Sequence, residues 1–159
     1  MCDAMKKPKF SLRQEHEALL ELVQQTDHKT LAVWAIDCAE RALPCFEAQF
    51  PDDPRPRQAL ATLQTWIATG VFKMSVIRGA SLAAHAAARD VGDDTPARSA
   101  ARACGQAVAT AHVPTHAIGA ATYTLQAIYR ATAAEHVEAA LAQERAWQRQ
   151  HLLDLRANA

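Results

Sequence analysis

Several groups of side chains in this chain have the types and spacing that chemistry requires. Arg78, His85 and Arg89 stand at i, i+7 and i+11, which puts all three on one narrow stripe of a helix. Such a stripe suits an anion or a carboxylate-bearing partner, because arginine offers a planar, bidentate fork. It could also pair with Asp37, Glu40 or Glu47 of an earlier helix and hold a bundle in register; charged stripes on neighbouring helices usually meet for that reason. His112 and His116 have the i, i+4 spacing of a two-histidine metal pair, which needs one continuous helix. Pro114 falls between them and puts that continuity in question, and the glutamate of HExxH is missing. The bland alternative makes His112 a cap at the end of one helix and His116 a satisfied donor in the first turn of the next. Asp52, Asp53, Arg55 and Arg57 form a charged loop that could face a partner, although capping alone explains Asp53. Cys45 lacks a nearby His–base companion. Ser81 and Ser99 lie away from any GxSxG turn, and the glycines are too scattered for a phosphate loop.

These residues must be positioned by helices. After a loose tail over residues 1–10, Leu12, His16, Leu19, Leu20 and Val23 mark a helix from Ser11 to about Thr26. Asp27 can cap a second helix with Leu31, Trp34, Ala35, Cys38, Ala39 and Ala42 inward, which Pro44 should kink or stop. Asp53 and Pro54 then open a third helix, burying Leu60, Leu63, Trp66 and Ile67 and ending at Gly70. A fourth runs from about Phe72 to Arg89 with Val76, Ile77, Ala80, Ala83, Ala84 and Ala87 inward. Thr95-Pro96 starts a fifth, whose stripe is Ala97, Ala100, Ala101, Cys104, Ala107, Val108 and Ala111; Gly105 beside it invites a close neighbour. Pro114 starts a sixth, bearing Ile118, Ala121, Leu125 and Ile128. The charge-rich remainder from Thr132 reads as a solvated outer helix, continuing the sixth or folding back near Ala131. No run alternates as a strand would. The fold expected is all-α: one domain, six or seven antiparallel helices and an alanine-rich core. Its parts are a tail and helix (1–26), a helical core (27–131) and a charged C-terminal helix packed on the same domain (132–159). Trp34, Trp66 and Trp147 read as core. Trp147, Leu152 and Leu155 would be only half covered by the last helix, which suggests a homodimer through it.

Composition narrows the function classes. The 159 residues suffice for one core without metal or disulfide staples. Lys+Arg and Asp+Glu both number 17, so neither nucleic acid nor an anionic membrane surface is an expected partner. Cys2, Cys38, Cys45 and Cys104 show no CxxC spacing and read as reduced residues of a cytoplasmic protein. There is no signal peptide pattern and no apolar run long enough to span a membrane. No cofactor is implied.

Three stretches carry a resemblance: WAIDCAERALPCFEAQFPDDPRPRQAL, then TW, G and SVIRGASLAAHAAARD, then AARACGQAVATAHVPTHAIGAATYTLQAI. Together they resemble the immunity-protein domain of bacterial polymorphic-toxin systems, of the helical immunity five-like type. The resemblance runs from about Asp27 to Tyr129 and leaves out the first helix and the polar tail. Pro114-Thr115 departs from the small residue and acid of the family pattern, which removes a capping carboxylate. The resemblance implies a non-catalytic cytoplasmic protein that blocks a cognate toxin by occlusion. Such binding needs a desolvated anchor cluster within a polar rim, for which the candidates are Arg78, His85 and Arg89, the loop residues Arg55 and Arg57, and the acids Asp37 and Glu40. The competing reading is a metal- or small-ligand protein using His85, His112 and His116 with Asp37 or Glu40.

Overall fold

The computed structural model describes residues 6–12 and 17–159. Among them are seven helices and no strand: α1 (Glu17–Gln24), α2 (His28–Glu47), α3 (Arg55–Thr69), α4 (Met74–Val91), α5 (Pro96–Ala109), α6 (His116–Ala131) and α7 (Val137–Ala157). They pack as one domain around α5, which lies against α2, α3, α4 and α6. The expected α5 stripe is buried throughout, from Ala97 to Ala111. Larger side chains come from the surrounding helices: Trp34, Phe46, Leu31, Leu43, Leu60 and Leu63 are fully buried.

Local chemistry accounts for most boundaries. The Asp27 carboxylate accepts the Thr30 N–H at 3.0 Å and caps α2. Gly70 ends α3 at φ 68°, a left-handed conformation that costs glycine nothing. Pro54 occupies the N-cap position of α3, and Asp53 accepts the Arg55 N–H from just outside. Thr95 stands at the N-cap of α5, but its hydroxyl makes no capping bond and is buried without a partner.

Four expectations need correction. Pro44 does not stop α2, which continues to Glu47. Glu40, whose carbonyl loses its donor, and Pro44 are both exposed, so water can replace the missing bond; buried Leu43 and Phe46 hold the last turn in place. Val76 faces solvent, because the inner stripe of α4 runs through Ile77, Ala84 and Ala87, and Val76 lies one step around the helix. Residues 6–10 are seated rather than loose: Phe10 packs on Tyr129 with ring centroids 5.2 Å apart, and the Tyr129 hydroxyl donates to the Pro8 carbonyl at 2.8 Å. His16 lies outside the described residues.

The fourth correction concerns α7. It starts anew after a break at Thr132 and packs on α6 and α2. It is not merely solvated: Val137, Leu141, Glu144, Gln148 and Leu152 are buried. Glu144, only 3% exposed, receives three hydrogen bonds from the Arg41 guanidinium at 2.8–3.0 Å. The same guanidinium lies 3.9 Å over the Trp147 ring. Gln148 donates to the Ala121 carbonyl, while its own carbonyl accepts the Trp34 indole N–H at 2.8 Å. Each buried polar group on this face has a partner, as burial requires.

Glycine marks where the close packing is tightest. A Cβ on Gly105 would sit 2.7 Å from His85 Nε2, and one on Gly119 2.6 Å from Gln106 Oε1. A Cβ on Gly79, exposed in mid-α4, would meet nothing within 4 Å. The same substitution therefore has opposite signs. Gly105→Ala is expected to destabilise by about 1–3 kcal/mol through overpacking, and Gly79→Ala to stabilise by roughly 0.5–1 kcal/mol through helix propensity. Urea unfolding of both variants measures this, and His85→Ala should relieve most of the Gly105→Ala cost in a double-mutant cycle. The Arg41–Glu144 pair gives a second ordering. Arg41→Ala strands a buried carboxylate and should cost roughly 3–5 kcal/mol. Glu144→Ala leaves a guanidinium that water can reach and should cost less, about 1–2 kcal/mol. Equal costs, or the reverse order, would refute this account of the pair.

Candidate functional site

The structure separates the candidate residues into three places. Asp37 and Glu40 lie on α2, away from the α4 stripe. Asp37 accepts the His151 Nε2–H from α7 at 2.7 Å, and Glu40 is exposed with no ion pair among the described residues. Arg57 binds Glu47. Arg55 is held by two carboxylates at 2.7 Å, Asp53 before its own helix and Asp90 at the end of α4. These bonds lower the carboxyl pKa values of Glu47 and Asp53. The expected pairing of Arg78, His85 and Arg89 with the acids of α2 does not occur. α7 and α3 supply those acids with His151 and Arg57 instead.

His85 and His116 sit in the seam between α4, α5 and α6. Arg102 of α5 donates to His85 Nδ1 at 3.1 Å. Arginine cannot accept, so His85 is neutral with its proton on Nε2, facing Gly105. Beside it Ser81 donates to the Gly105 carbonyl at 2.9 Å. Burial, followed by the charges of Arg102 and Arg89 and the neighbouring His116, pushes the His85 pKa down to about 4. His116 donates from Nδ1 to Gln106 Oε1 at 2.8 Å; burial and then His112 lower its pKa as well. Both rings are tied into the packing.

Pro114 does break the helix, with α5 ending at Ala109 and α6 beginning at His116. His112 is not the cap of α5: its ring stacks on Phe72 at 6.1 Å. The role falls to His28, whose Nε2–H reaches the Thr110 carbonyl while its ring packs on Trp66 at 4.8 Å. Nothing in the local sequence pointed to His28, since its partners lie 38 and 82 positions away. Among the described residues no three of His, Cys, Asp and Glu gather where they could hold a metal ion. Burial raises the pKa of Cys38, Cys45 and Cys104 above the ordinary thiol value, which suppresses nucleophilic thiolate.

Arg78 and His112 do come together. With Met74, Ile77, Ser81 and Leu82 they line a groove of about 340 Å³ between α4 and the end of α5. A second groove of about 340 Å³ lies on the other side of α4 against α3, lined by Thr65, Trp66, Lys73, Val76 and Ile77. Together with the connection before α4, these grooves form an open, partly apolar surface. It can bind, and the Ser81 hydroxyl on its wall is engaged by the Gly105 carbonyl.

The neutral state of His85 has a pH consequence. A histidine whose pKa is lower in the folded than in the unfolded state contributes stability that is complete above about pH 6.5 and lost as pH falls toward 4. His116 acts in the same direction. Asp27, Glu47 and Asp53, all held below the usual carboxylate range, contribute losses only at still lower pH. Urea midpoints should therefore fall between pH 7 and 4.5, and the slope should be shallower in His85→Gln. An unchanged slope in that variant would contradict the assigned environment.

No curated protein and no solved structure was found to match the chain. The family model described as Imm-5 like putative immunity protein matches residues 21–155. That span exceeds the sequence resemblance at both ends, taking in the second half of α1 and nearly all of α7. The buried Glu144–Arg41 and Gln148–Trp34 ties make α7 part of the same packed unit. Matched over most of its length, the chain belongs to the Imm-5 like immunity protein family.

Proposed function

We propose that this protein neutralises a cognate bacterial toxin by occlusion: it binds the toxin tightly, covers its active site or an essential surface, and performs no chemistry itself. Family membership over residues 21–155 is the observation that carries the reading. The side chains agree with it. The histidines lie near one another, but the acids that a metal- or ligand-binding enzyme would need beside them lie apart on α2, with Asp37 on His151, while His116 is held by Gln106 and His112 by Phe72. The thiols are suppressed by burial. Among the described residues no helix is long and apolar enough to cross a membrane, and a cytoplasmic site of action follows from the toxin-blocking role. Leu152 is fully buried and Trp147 lies beneath Arg41. Trp147 and Leu155 stay partly exposed, and we place the toxin partner elsewhere than on α7. Co-expression with the product of the adjacent toxin gene should restore growth and give a complex that survives size exclusion. Loss of both outcomes would sink the proposal.

A further inference from the structure

The exposed large hydrophobic residues are unevenly distributed. Seven remain exposed among the described residues, and five of them fall within positions 71–82: Val71, Phe72, Met74, Val76 and Leu82, at 42–61% exposure. They flank the start of α4 on its two sides. Val71 and Val76 border the groove against α3, Met74 and Leu82 border the groove against α5, and Ile77, 3% exposed, is the floor of both. Phe72 closes one end by stacking on His112. Exposed hydrocarbon clustered in this way marks an interaction site rather than ordinary surface variation.

The two charged side chains that line the grooves, Lys73 and Arg78, are both cations. Residues 54–134 contain eight Lys and Arg but only three acids, Asp90, Asp93 and Asp94. Two of those acids are engaged at the far end of α4, Asp90 by Arg55 and Asp94 by Arg98 and Arg130. Lys73 and Arg78, which line the two grooves, have no ion-pair partner among the described residues, nor does Arg89 farther along α4. Met74, Arg78, Leu82 and Arg89 fall within an arc of about 80° on the helix, so cation and hydrocarbon alternate along one outward face. The α3 wall adds only neutral hydroxyls, from Thr62, Thr65 and Thr69. Unpaired guanidinium and ammonium groups around an apolar centre complement a surface with apolar side chains among carboxylates. A second copy docked symmetrically through this face would set Lys73 and Arg78 against their own kind, which disfavours that occupant. Nucleic acid would need a denser basic track on a chain of positive net charge, and this chain is neutral.

We propose that the first half of α4, with the Val71–Lys73 connection, is the surface that docks the toxin, and that the toxin face it meets carries apolar side chains within a cluster of Asp and Glu carboxylates. This rests on the toxin-binding reading above. Arg78 and Leu82 are the central anchors, Lys73 and Arg89 the rim.

The test measures affinity of the full chain for the adjacent gene's toxin, using a catalytically inactivated toxin so that both proteins can be made. Arg78→Glu and Leu82→Asp should each weaken binding about 30-fold or more, as truncated anchors do. Lys73→Glu should slow association and reduce its salt dependence. Arg149→Glu, exposed on α7, should bind like the original protein. The altered side chains are exposed, so melting temperatures should hold; Val76→Asp serves as a further variant should one fail to fold. If the toxin binds and folded Arg78→Glu, Leu82→Asp and Val76→Asp all bind it equally well, the α4 surface is refuted while toxin neutralisation stands. If the original protein neither binds nor rescues, both fail. Binding of a DNA duplex through Arg78 with no toxin binding would likewise overturn the proposal.

Discussion

Every side chain that α5 buries is valine-sized or smaller: seven alanine, glycine and serine positions with Cys104 and Val108. That restriction lets α2, α3, α4 and α6 all pack against one central helix. The bulk that a core requires must then come from outside α5, and it does, in Trp34, Phe46, Leu31, Leu43, Leu60 and Leu63. Close approach also leaves little room for the polar side chains that emerge between helices. A Cβ at position 105 would displace the His85 ring, and one at position 119 would displace the Gln106 amide. The histidine seam is therefore a consequence of helix spacing, and its neutral imidazole is what a crowded place beside two arginines permits.

The same restriction explains what could be read from the sequence. Caps and breaks are local events, so Asp27, Gly70, Pro114 and the unbroken stripe of α5 were legible in the order in which they occur. Their outcome depends on atoms a few positions away. Pro44 misled because its clash and lost donor are local, whereas the burial of Leu43 and Phe46 that keeps α2 intact depends on the rest of the fold. The polar face of α7 misled in the same way. A helix rich in Glu, Gln and Arg reads as solvated until Arg41, 103 positions from Glu144, is known to lie against it.

Pair identity was the least legible quantity of all. The spacing of Arg78, His85 and Arg89 on one face follows from helical geometry alone, but what the face meets depends on which helices are neighbours. The sequence offered Asp37, Glu40 and Glu47 as partners of opposite charge. In the fold, α7 lies against α2 and brings His151 to Asp37, and α3 brings Arg57 to Glu47. The nearest polar neighbours of His85 come from α5, a helix with no acid at all.

That rearrangement bears directly on the charge of the surface. A chain with 17 groups of each sign looks electrically featureless, and the inference from its neutral total to a featureless exterior fails here because the signs are segregated along the chain. Residues 54–134 carry a formal +5 and the rest carries −5. Had α4 packed on α2, the two would have cancelled across an internal interface. Because α7 and α3 lie against α2, Asp37 and Glu47 find partners in His151 and Arg57, and the cations of α4 turn outward beside uncovered hydrocarbon. Exposed like charges with no internal counterion cost little in water, and they leave an asymmetry that an external acidic surface would complement. The helix order that makes the core close-packed thus also leaves one face of the molecule electrostatically unfinished.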